Sequence, residues 1–225
     1  MATDNTMLMR QSWRANAQAW VAAVRGGSIA SRCVATDAAA VNAVLALKPA
    51  RVLDAGCGEG WLCRALAEAG IDAVGIDAAP ELIAAAQQAG GGEFRVAAYD
   101  DLPGLQPDIG MFPAIVCNFS LLDAGLDFVL RCLKGRLQPA GHILIQTLHP
   151  WAGAGDDYRD GWRVESFAGF EGRFSQSMPW YFRSLGSWVT LLASNGFHIE
   201  SLTEPCDPQS GAPLSLLLQC RLSEA

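Results

Sequence analysis

The chain has 225 residues, of which 51% are hydrophobic, and a formal net charge of −7 at pH 7. This length and composition predict one domain with a single large core, spanning residues 1–225. The negative charge, with no run of Lys and Arg to oppose it, argues against a nucleic-acid partner. No stretch approaches the roughly 18 apolar residues of a membrane span, so no membrane partner is expected.

The cysteines give no sign of a metal site. The seven are scattered, no two form a C-x-x-C pair, and no histidine stands at a zinc-ligand spacing from them. We therefore predict free thiols in a reducing compartment and no metal. Residues 1–10 lack a charged segment followed by an apolar one, which together with the thiols leads us to expect a cytoplasmic location.

Residues 1–48 are predicted to form a helical cap. Apolar side chains from residue 10 to residue 25 recur at spacings of three and four, which indicates one face of a helix that ends at Gly26 and Gly27. A second helix is predicted to begin after Thr36 or Asp37 and to stop at Lys48, before Pro49.

Short apolar runs then alternate with longer amphipathic segments, which is typical of a parallel α/β sheet. Strands are predicted at residues 51–55, 73–76, 94–97, 114–118 and 142–147. Helices are predicted at residues 60–69, 80–89, 121–137 and 184–194. Two final strands, at residues 197–203 and 214–221, are expected to form a hairpin.

Residues 149–183 show no regular period and are rich in aromatic side chains. A loop of this length in a compact domain is usually functional. We interpret it as a lid that, with Trp13 and Trp20, encloses an apolar or planar substrate. A packed insertion with its own small core and a dimer contact are the alternatives. Four arginines leave open a carboxylate on the substrate: Arg159, Arg163, Arg173 and Arg183.

The strongest motif is RVLDAGCGEG at residues 51–60, an apolar strand that ends in alternating glycines and is followed at once by a helix. Glycines there let a ligand approach the main-chain N–H groups closely. Asp77 ends the second strand about twenty residues after Gly56, where a carboxylate accepts hydrogen bonds from ribose hydroxyls. A tight turn without a ligand, and Asp77 as a cap of the helix near Pro80, are the competing interpretations.

Two features separate an adenosine cofactor with a sulfonium from a dinucleotide. The dinucleotide pattern G-x-G-x-x-G needs a third glycine where the pyrophosphate meets the helix, and this chain has Trp61 there. Asp54 and Glu59 are expected to repel a pyrophosphate but to tolerate an ammonium and a sulfonium. A nicotinamide oxidoreductase is therefore the less favoured alternative.

These residues resemble the class I S-adenosylmethionine-dependent methyltransferases, particularly their small-molecule, ubiquinone-biosynthesis-like branch. VLDAGCGEG at residues 52–60 resembles the first motif of the family, and GID at residues 75–77 with Leu82 resembles the second. LQPAG at residues 137–141 and the strand after it resemble the L-x-P-G-G turn. GF at residues 196–197 and EP at residues 204–205 resemble late elements. The similarity covers residues 40–150 well.

The resemblance implies S-adenosyl-L-methionine as cofactor, S-adenosyl-L-homocysteine as product, and an α/β fold. That fold is Rossmann-like and doubly wound, with a mostly parallel seven-stranded sheet, a C-terminal antiparallel hairpin, N-terminal helices and the aromatic-rich insertion. Ala98 stands where many relatives have an Asp for the adenine amine, a role that Asp100 is expected to take. The resemblance also implies that Asp54 supports the loop and contacts the amino group of the cofactor. The predicted cofactor-binding residues are Asp54, Gly56, Cys57, Gly58, Asp77, Ala78, Tyr99, Asp100, Asn118 and Phe119.

The chemistry that the resemblance implies is methyl transfer to a small, apolar or planar molecule by in-line displacement. We predict His149 as the base, because it follows strand five at the ligand edge of the sheet and histidine is the residue type suited to proton transfer near neutral pH. A histidine that only shapes the turn is the alternative. The predicted substrate contacts are Trp20, Trp151, Trp180 and Tyr181. A non-catalytic cofactor-binding partner or regulator remains open, as does a monomer or a homodimer.

Overall fold

A computed structural model describes residues 4–170 and 174–223. Eight α-helices are defined there, namely α1 (Asn5–Ala15), α2 (Ala17–Arg25), α3 (Asp37–Leu47), α4 (Trp61–Glu68), α5 (Pro80–Ala89), α6 (Leu126–Lys134), α7 (Pro150–Gly153) and α8 (Leu185–Ser194). The strands are β1 (Arg51–Ala55), β2 (Asp72–Asp77), β3 (Glu93–Val96), β4 (Phe112–Asn118), β5 (Leu137–Leu148), β6 (Gly161–Glu165), β7 (Met178–Phe182), β8 (Phe197–Thr203) and β9 (Ser215–Leu222). Within the described ranges, no helix is both long enough and apolar enough to cross a bilayer.

Seven strands form one sheet in the order β3-β2-β1-β4-β5-β9-β8. The first five are parallel, whereas β9 runs antiparallel to β5 and β8 antiparallel to β9. The predicted α/β fold, including the C-terminal antiparallel strands, is therefore confirmed. The strand order reverses between β1 and β4, and ligands of such sheets bind in the crevice at this switch point.

The central strands are buried on both faces, which explains their nearly continuous apolar runs. On β1, Leu53 packs into a core with α6 and α8, while Val52 packs into a second core with α3 and α4. Both side chains are fully buried. The sheet is thus a rigid platform whose carboxyl edge carries the loops described below.

Two predicted helices differ from the structure. The helix expected over residues 10–25 is divided into α1 and α2 at Asn16, a buried polar residue. The helix expected to begin at Leu121 begins at Leu126, because residues 119–125 form a loop at the end of β4. That loop lines the cavity described in the next section.

Residues 149–183 contain short regular elements that the sequence did not reveal. The helix α7 follows β5, and β6 pairs with β7 as a separate two-stranded antiparallel hairpin. The N–H of Tyr181 donates to the carbonyl of Leu122 at 2.8 Å, which joins the hairpin to the loop after β4. Arg173 lies outside the described residues.

Candidate active site

A cavity of about 420 Å³ opens at the carboxyl edge of β1, β2 and β4. One part, here called the loop half, is formed by the glycine loop and the ends of these strands. The other part, the aromatic chamber, is formed by α1, α2, the loop after β4 and the β6–β7 hairpin. The structure brings nine of the ten predicted cofactor residues to the walls of this cavity: Gly56, Cys57, Gly58, Asp77, Ala78, Tyr99, Asp100, Asn118 and Phe119.

The glycine loop is held so tightly that position 56 accepts no side chain. Gly56 has φ +85°, and a Cβ there would lie 2.3 Å from Ser120 Cβ and 2.9 Å from the Tyr99 hydroxyl. Gly58, with φ +57°, has more room, since its nearest neighbour would be Trp20 Nε1 at 3.9 Å. The loop therefore presents bare backbone to the cavity, as the sequence predicted.

Asp77 holds the loop from the neighbouring strand. Its Oδ2 accepts the Gly58 N–H at 3.0 Å, and its Oδ1 accepts the Ala79 N–H at 2.8 Å. Burial raises the pKa of Asp77, while these two hydrogen bonds lower it. A carboxylate can accept about four hydrogen bonds. Asp77 thus caps the turn before α5 and keeps acceptor capacity for ribose hydroxyls at the cavity wall.

Asp54 lies behind the loop and does not line the cavity, so its predicted contact with a cofactor amino group is not supported. The side chain is buried and accepts a hydrogen bond from Cys63 Sγ at 3.6 Å. The pKa of Asp54 is raised to about 7, and burial is the main cause. The hydrogen bond from Cys63 and the charge of Arg32 lower this pKa, whereas the charge of Asp77 raises it. Its predicted role in supporting the loop agrees with this position.

Glu59 is buried and paired with two guanidinium groups. Arg25 Nε and Arg64 Nη2 each lie 2.7 Å from its carboxylate oxygens. The charge that we expected to repel a pyrophosphate is therefore compensated within the protein. That argument against a dinucleotide is wrong.

The short 3-10 helix at Tyr99–Gly104, after β3, contributes Tyr99 to the framework of the loop half. The Tyr99 hydroxyl lies 3.2 Å from the carbonyls of Ala55 and Ser120, and burial raises its pKa well above the usual value. Asp100 is about half exposed at the cavity edge and pairs with Arg10 at 3.6 Å. A carboxylate in that position is compatible with the predicted contact to an adenine amine.

The end of β4 is strained at the cavity. Phe119 has φ +52°, which is rare for a bulky side chain, and its N–H donates to the Gln146 carbonyl at 2.7 Å. Asn118 Oδ1 accepts from Gln146 Nε2 at 2.8 Å. Ser120 Oγ donates to the Ala55 carbonyl at 2.6 Å, so it does not cap α6. Local strain of this kind is characteristic of ligand sites.

The aromatic chamber joins the N-terminal helices to the insertion. Trp13 and Trp20 pack edge to face at 5.1 Å, and Trp20 lies 6.0 Å from Phe170. Asn16 links the N-terminal helices to the insertion through two hydrogen bonds. Its Nδ2 donates to the Gln176 carbonyl and its Oδ1 accepts the Ser175 N–H, both at 2.7 Å. Sequence reasoning missed Asn16, which gave no signal beyond a polar residue on an apolar helix face.

His149 is not placed as the predicted base. Its Nδ1 accepts the Trp151 N–H at 3.2 Å and so caps α7, and its Nε2 lies 2.8 Å from Glu204 Oε1. It is buried and is not among the residues that line the cavity. The alternative interpretation, a histidine that shapes the turn after β5, describes the observed contacts.

Two of the four predicted substrate contacts also need correction. Trp151 is 76% exposed, and the Tyr181 ring packs on Trp162 at 5.5 Å on the outer face of the hairpin. Neither lines the cavity, whereas Trp20 and Trp180 do. Alternation along a strand explains the difference, since neighbouring residues such as Trp180 and Tyr181 point to opposite faces.

The described arginines of the insertion do not reach the chamber. Arg159 pairs with Asp157 at 2.8 Å, Arg163 donates to the carbonyl of Asp157, and Arg183 donates to that of Ala124. The acidic walls of the chamber are Asp123 and Glu165, neither of which was predicted as a site residue. The sequence could have pointed to Asp123, because this residue follows the end of a parallel strand. No sequence pattern pointed to Glu165. In residues 4–170 and 174–223 no cluster of His, Cys, Asp and Glu is arranged to hold a metal.

The family described as "Methyltransferase domain" matches residues 35–202. The ubiquinone biosynthesis O-methyltransferase of Xanthomonas campestris pv. campestris (strain B100) is 36% identical over 116 residues, which cover 48% of this chain and 47% of that protein. That of Xylella fastidiosa (strain 9a5c) is 37% identical over 110 residues, which cover 46% of this chain and 44% of that protein. The chain spans about half the length of the curated relatives it matches.

Solved structures share the fold. A putative S-adenosylmethionine-dependent methyltransferase from Listeria monocytogenes superposes with a TM-score of 0.65 at 19% identity, over 84% of this chain and all of that one. The 1,6-didemethyltoxoflavin-N1-methyltransferase of Burkholderia thailandensis, solved with 1,6-didemethyltoxoflavin and S-adenosylhomocysteine, gives 0.67 at 19% identity, over 97% of this chain and 89% of that one. The chain belongs to the family of methyltransferase domains.

The geometry of the loop half agrees with this family. The cradle at Gly56 admits no Cβ, and Asp77 offers acceptor oxygens beside it. Both features fit an adenosine that lies against backbone with its sugar at a carboxylate. Membership of the family removes the nicotinamide alternative, although Glu59 no longer argues against it.

Proposed function

We propose that this chain transfers the methyl group of S-adenosyl-L-methionine to a small molecule held in the aromatic chamber. The observation that carries the proposal is one continuous cavity whose walls include both the glycine loop with Asp77 and the aromatic side chains of α1, α2 and the insertion. Its volume, about 420 Å³, lies within the usual range for small-molecule sites. Donor and acceptor therefore meet without crossing solvent.

The chain's own residues would align the reactants. When bound, the cofactor supplies an electrophilic methyl group on a sulfonium, and the acceptor's lone pair forms the new bond while the electrons of the C–S bond stay on sulfur. Gly56 and Gly58 would shape the cradle, Asp77 would hold the sugar, and Phe119, with its strained backbone, would form part of the cavity wall. Correct alignment supplies much of the rate in a displacement of this kind.

The chamber would also exclude water and accept a proton. Phe167 and Met178 in its wall are buried, and Trp20 closes it above Gly58. Among the described residues that line the chamber, Asp123 and Glu165 are the groups able to take a proton from an oxygen or nitrogen acceptor. With His149 outside the cavity, we propose that one of these carboxylates serves where a base is needed.

A second candidate is a cofactor-binding partner or regulator without catalysis. The observation that favours it is the position of His149, which leaves the described chamber walls without an imidazole. Both candidates predict binding of the cofactor, and only the first predicts product.

Calorimetric titration with S-adenosylhomocysteine tests the site directly. Replacing Asp77→Ala removes acceptor oxygens for the sugar and should weaken binding by about 1 to 3 kcal/mol. Asp72→Ala, at the other end of β2, is the matched control, since this carboxylate is exposed and pairs with Arg51. Equal affinities in both folded variants would remove Asp77 from the role.

A turnover assay distinguishes the methyltransferase from the non-catalytic cofactor-binding protein. The protein is incubated with S-adenosylmethionine and a panel of aromatic acceptors, and mass spectrometry detects S-adenosylhomocysteine and a product heavier by one methylene. Formation of both supports the enzyme. Tight binding of the cofactor with no product from any acceptor would support the regulatory candidate instead.

A further inference from the structure

The aromatic chamber has acidic walls, which give it a net negative charge. Its acidic walls are Glu165, at the end of β6, and Asp123, in the loop after β4. Two arginines also line the cavity, and each is paired with a carboxylate: Arg10 of α1 with Asp100 at 3.6 Å, and Arg32 with Asp37 at 2.9 Å. A ligand in the chamber therefore meets negative charge and no free guanidinium among the described walls.

Each of the two carboxylates is positioned by one oxygen. Glu165 Oε1 accepts the Phe167 N–H at 2.6 Å, and Asp123 Oδ1 accepts the Thr6 hydroxyl at 3.0 Å and the Ala124 N–H at 2.6 Å. Within the described residues, no hydrogen bond from the protein reaches Glu165 Oε2 or Asp123 Oδ2. Each carboxylate thus keeps an acceptor oxygen for a ligand at the cavity wall.

The aromatic walls favour a positively charged ligand, as the carboxylates do. Trp13, Trp20 and Trp180 line the chamber together with Phe170. The faces of aromatic rings carry negative potential and attract cations, tryptophan most strongly. They also stack on planar ligands.

We propose that the acceptor is a planar aromatic molecule bearing an amine, bound through Glu165 and Asp123 against the tryptophan faces of the chamber. This inference rests on the proposed function and names its substrate class. A carboxylate on the substrate, which the arginines of the insertion had left open, meets like charge here instead. Arg159 pairs with Asp157, Arg163 donates to the Asp157 carbonyl, and Arg183 donates to the Ala124 carbonyl; these three side chains do not line the cavity.

Three indole probes with the same ring and the same two-carbon spacer separate the charges. Tryptamine carries an ammonium, tryptophol a neutral hydroxyl and indole-3-propionate a carboxylate on the same ring. We would titrate each calorimetrically into the full-length protein saturated with S-adenosylhomocysteine at pH 7. Tryptamine should bind about tenfold or more tightly than indole-3-propionate, with tryptophol between them.

Charge-removing variants test the residues. Glu165→Gln keeps an oxygen for the Phe167 N–H, and Asp123→Asn keeps one for its own hydrogen bonds. Each should lower the affinity for tryptamine about three- to tenfold, while that for tryptophol stays within about twofold. Glu68→Gln, an exposed residue of α4, makes the same change in net charge away from the cavity and should alter nothing.

The outcomes distinguish this inference from the proposed function. If S-adenosylhomocysteine does not bind, the proposed function fails. If it binds but indole-3-propionate binds as tightly as tryptamine, or if the two variants leave the preference unchanged, the amine assignment is overturned while the methyltransferase site stands. Failure of all three indoles to bind to the loaded protein would overturn the aromatic acceptor as well.

Discussion

The loop half and the aromatic chamber are built in opposite ways. The loop half uses backbone and side chains at the ends of parallel strands, where Gly56, Gly58 and Asp77 are fixed by hydrogen bonds between neighbouring strands. The chamber depends on contacts between distant segments, such as Asn16 with Gln176, 160 residues apart. One half is therefore a rigid property of the sheet, and the other is an assembly of separate pieces.

This difference predicts that the loop half tolerates no added volume. In Gly56→Ala the new Cβ would meet Ser120 Cβ at 2.3 Å, at a backbone φ of +85°. Crowding and left-handed strain together should cost about 2 to 4 kcal/mol of unfolding free energy. Because the cradle is deformed as well, S-adenosylhomocysteine binding should fall by about a hundredfold or more. Urea unfolding and calorimetry measure the two effects.

Gly70→Ala is the matched control for that variant. Gly70 has a similar φ of +80°, but a Cβ there would have no neighbour within 4 Å. It should lose about 1 to 2 kcal/mol of stability through backbone strain alone and keep its affinity for the cofactor. Equal loss of binding in both variants would show that strain, and not the cradle, determines affinity.

The buried carboxyl group of Asp54, behind the loop half, makes the free energy of unfolding depend on pH. Burial raises the pKa of Asp54 from 3.8 to about 7, so the folded protein holds a proton that the unfolded chain releases. The resulting stability is fully present below pH 4 and is lost as the pH rises to about 7. Between pH 5 and pH 8 the wild type should lose about 2 to 3 kcal/mol that Asp54→Asn does not lose.

Urea unfolding at four pH values between 5 and 8 checks this linkage. Asp72→Asn serves as the control, because its carboxylate is 65% exposed and should leave the curve parallel to that of the wild type. An Asp54→Asn curve that also runs parallel to the wild type would contradict the raised pKa. The chamber holds no comparably buried acid among its described walls, so the effect belongs to the loop half.

The same contrast explains what the sequence could predict. Strand β1, the glycine loop and Asp77 were found because a parallel strand, its turn and the next strand's end are local patterns with a fixed geometry. The strand bounds 51–55 and the helix bounds 80–89 agree with the structure. Phe119 was placed correctly at the cavity, but its strained φ was not foreseen.

The sequence led us to expect that residues 149–183 enclose a substrate together with Trp13 and Trp20, but it could not predict which side chains line the chamber, because the contacts there are long-range. Which face of β7 turns inward decides that Trp180 lines the cavity and Tyr181 does not, and the register with β6 fixes that choice. No local pattern revealed a hairpin in residues 149–183. Glu165 and Asn16 acquire their roles only when the insertion meets the N-terminal helices.

The assembled character of the chamber predicts a selective loss in Asn16→Ala. Removing this side chain leaves the Ser175 N–H without its partner and the Gln176 carbonyl with only the Ser12 hydroxyl at 3.4 Å, which should cost about 1 to 3 kcal/mol. Hydrogen exchange should quicken in α1, α2 and the hairpin while the central strands stay protected. Affinity for tryptamine should fall more than affinity for S-adenosylhomocysteine. Asn42→Ala, exposed on α3, is the control.

The smallest effect is expected at His149, between the two regions. Its contacts with Trp151 and Glu204 make it a cap of α7, and losing a cap costs about 1 kcal/mol. His149→Ala should therefore lower the unfolding free energy by about that amount and leave the binding of S-adenosylhomocysteine and of the indole probes within about twofold. Methyl transfer to any acceptor found in the panel should persist at a similar rate. A loss of turnover of a hundredfold or more, with binding intact, would return His149 to the role of base and would mean that the turn after β5 moves into the chamber when both ligands are bound.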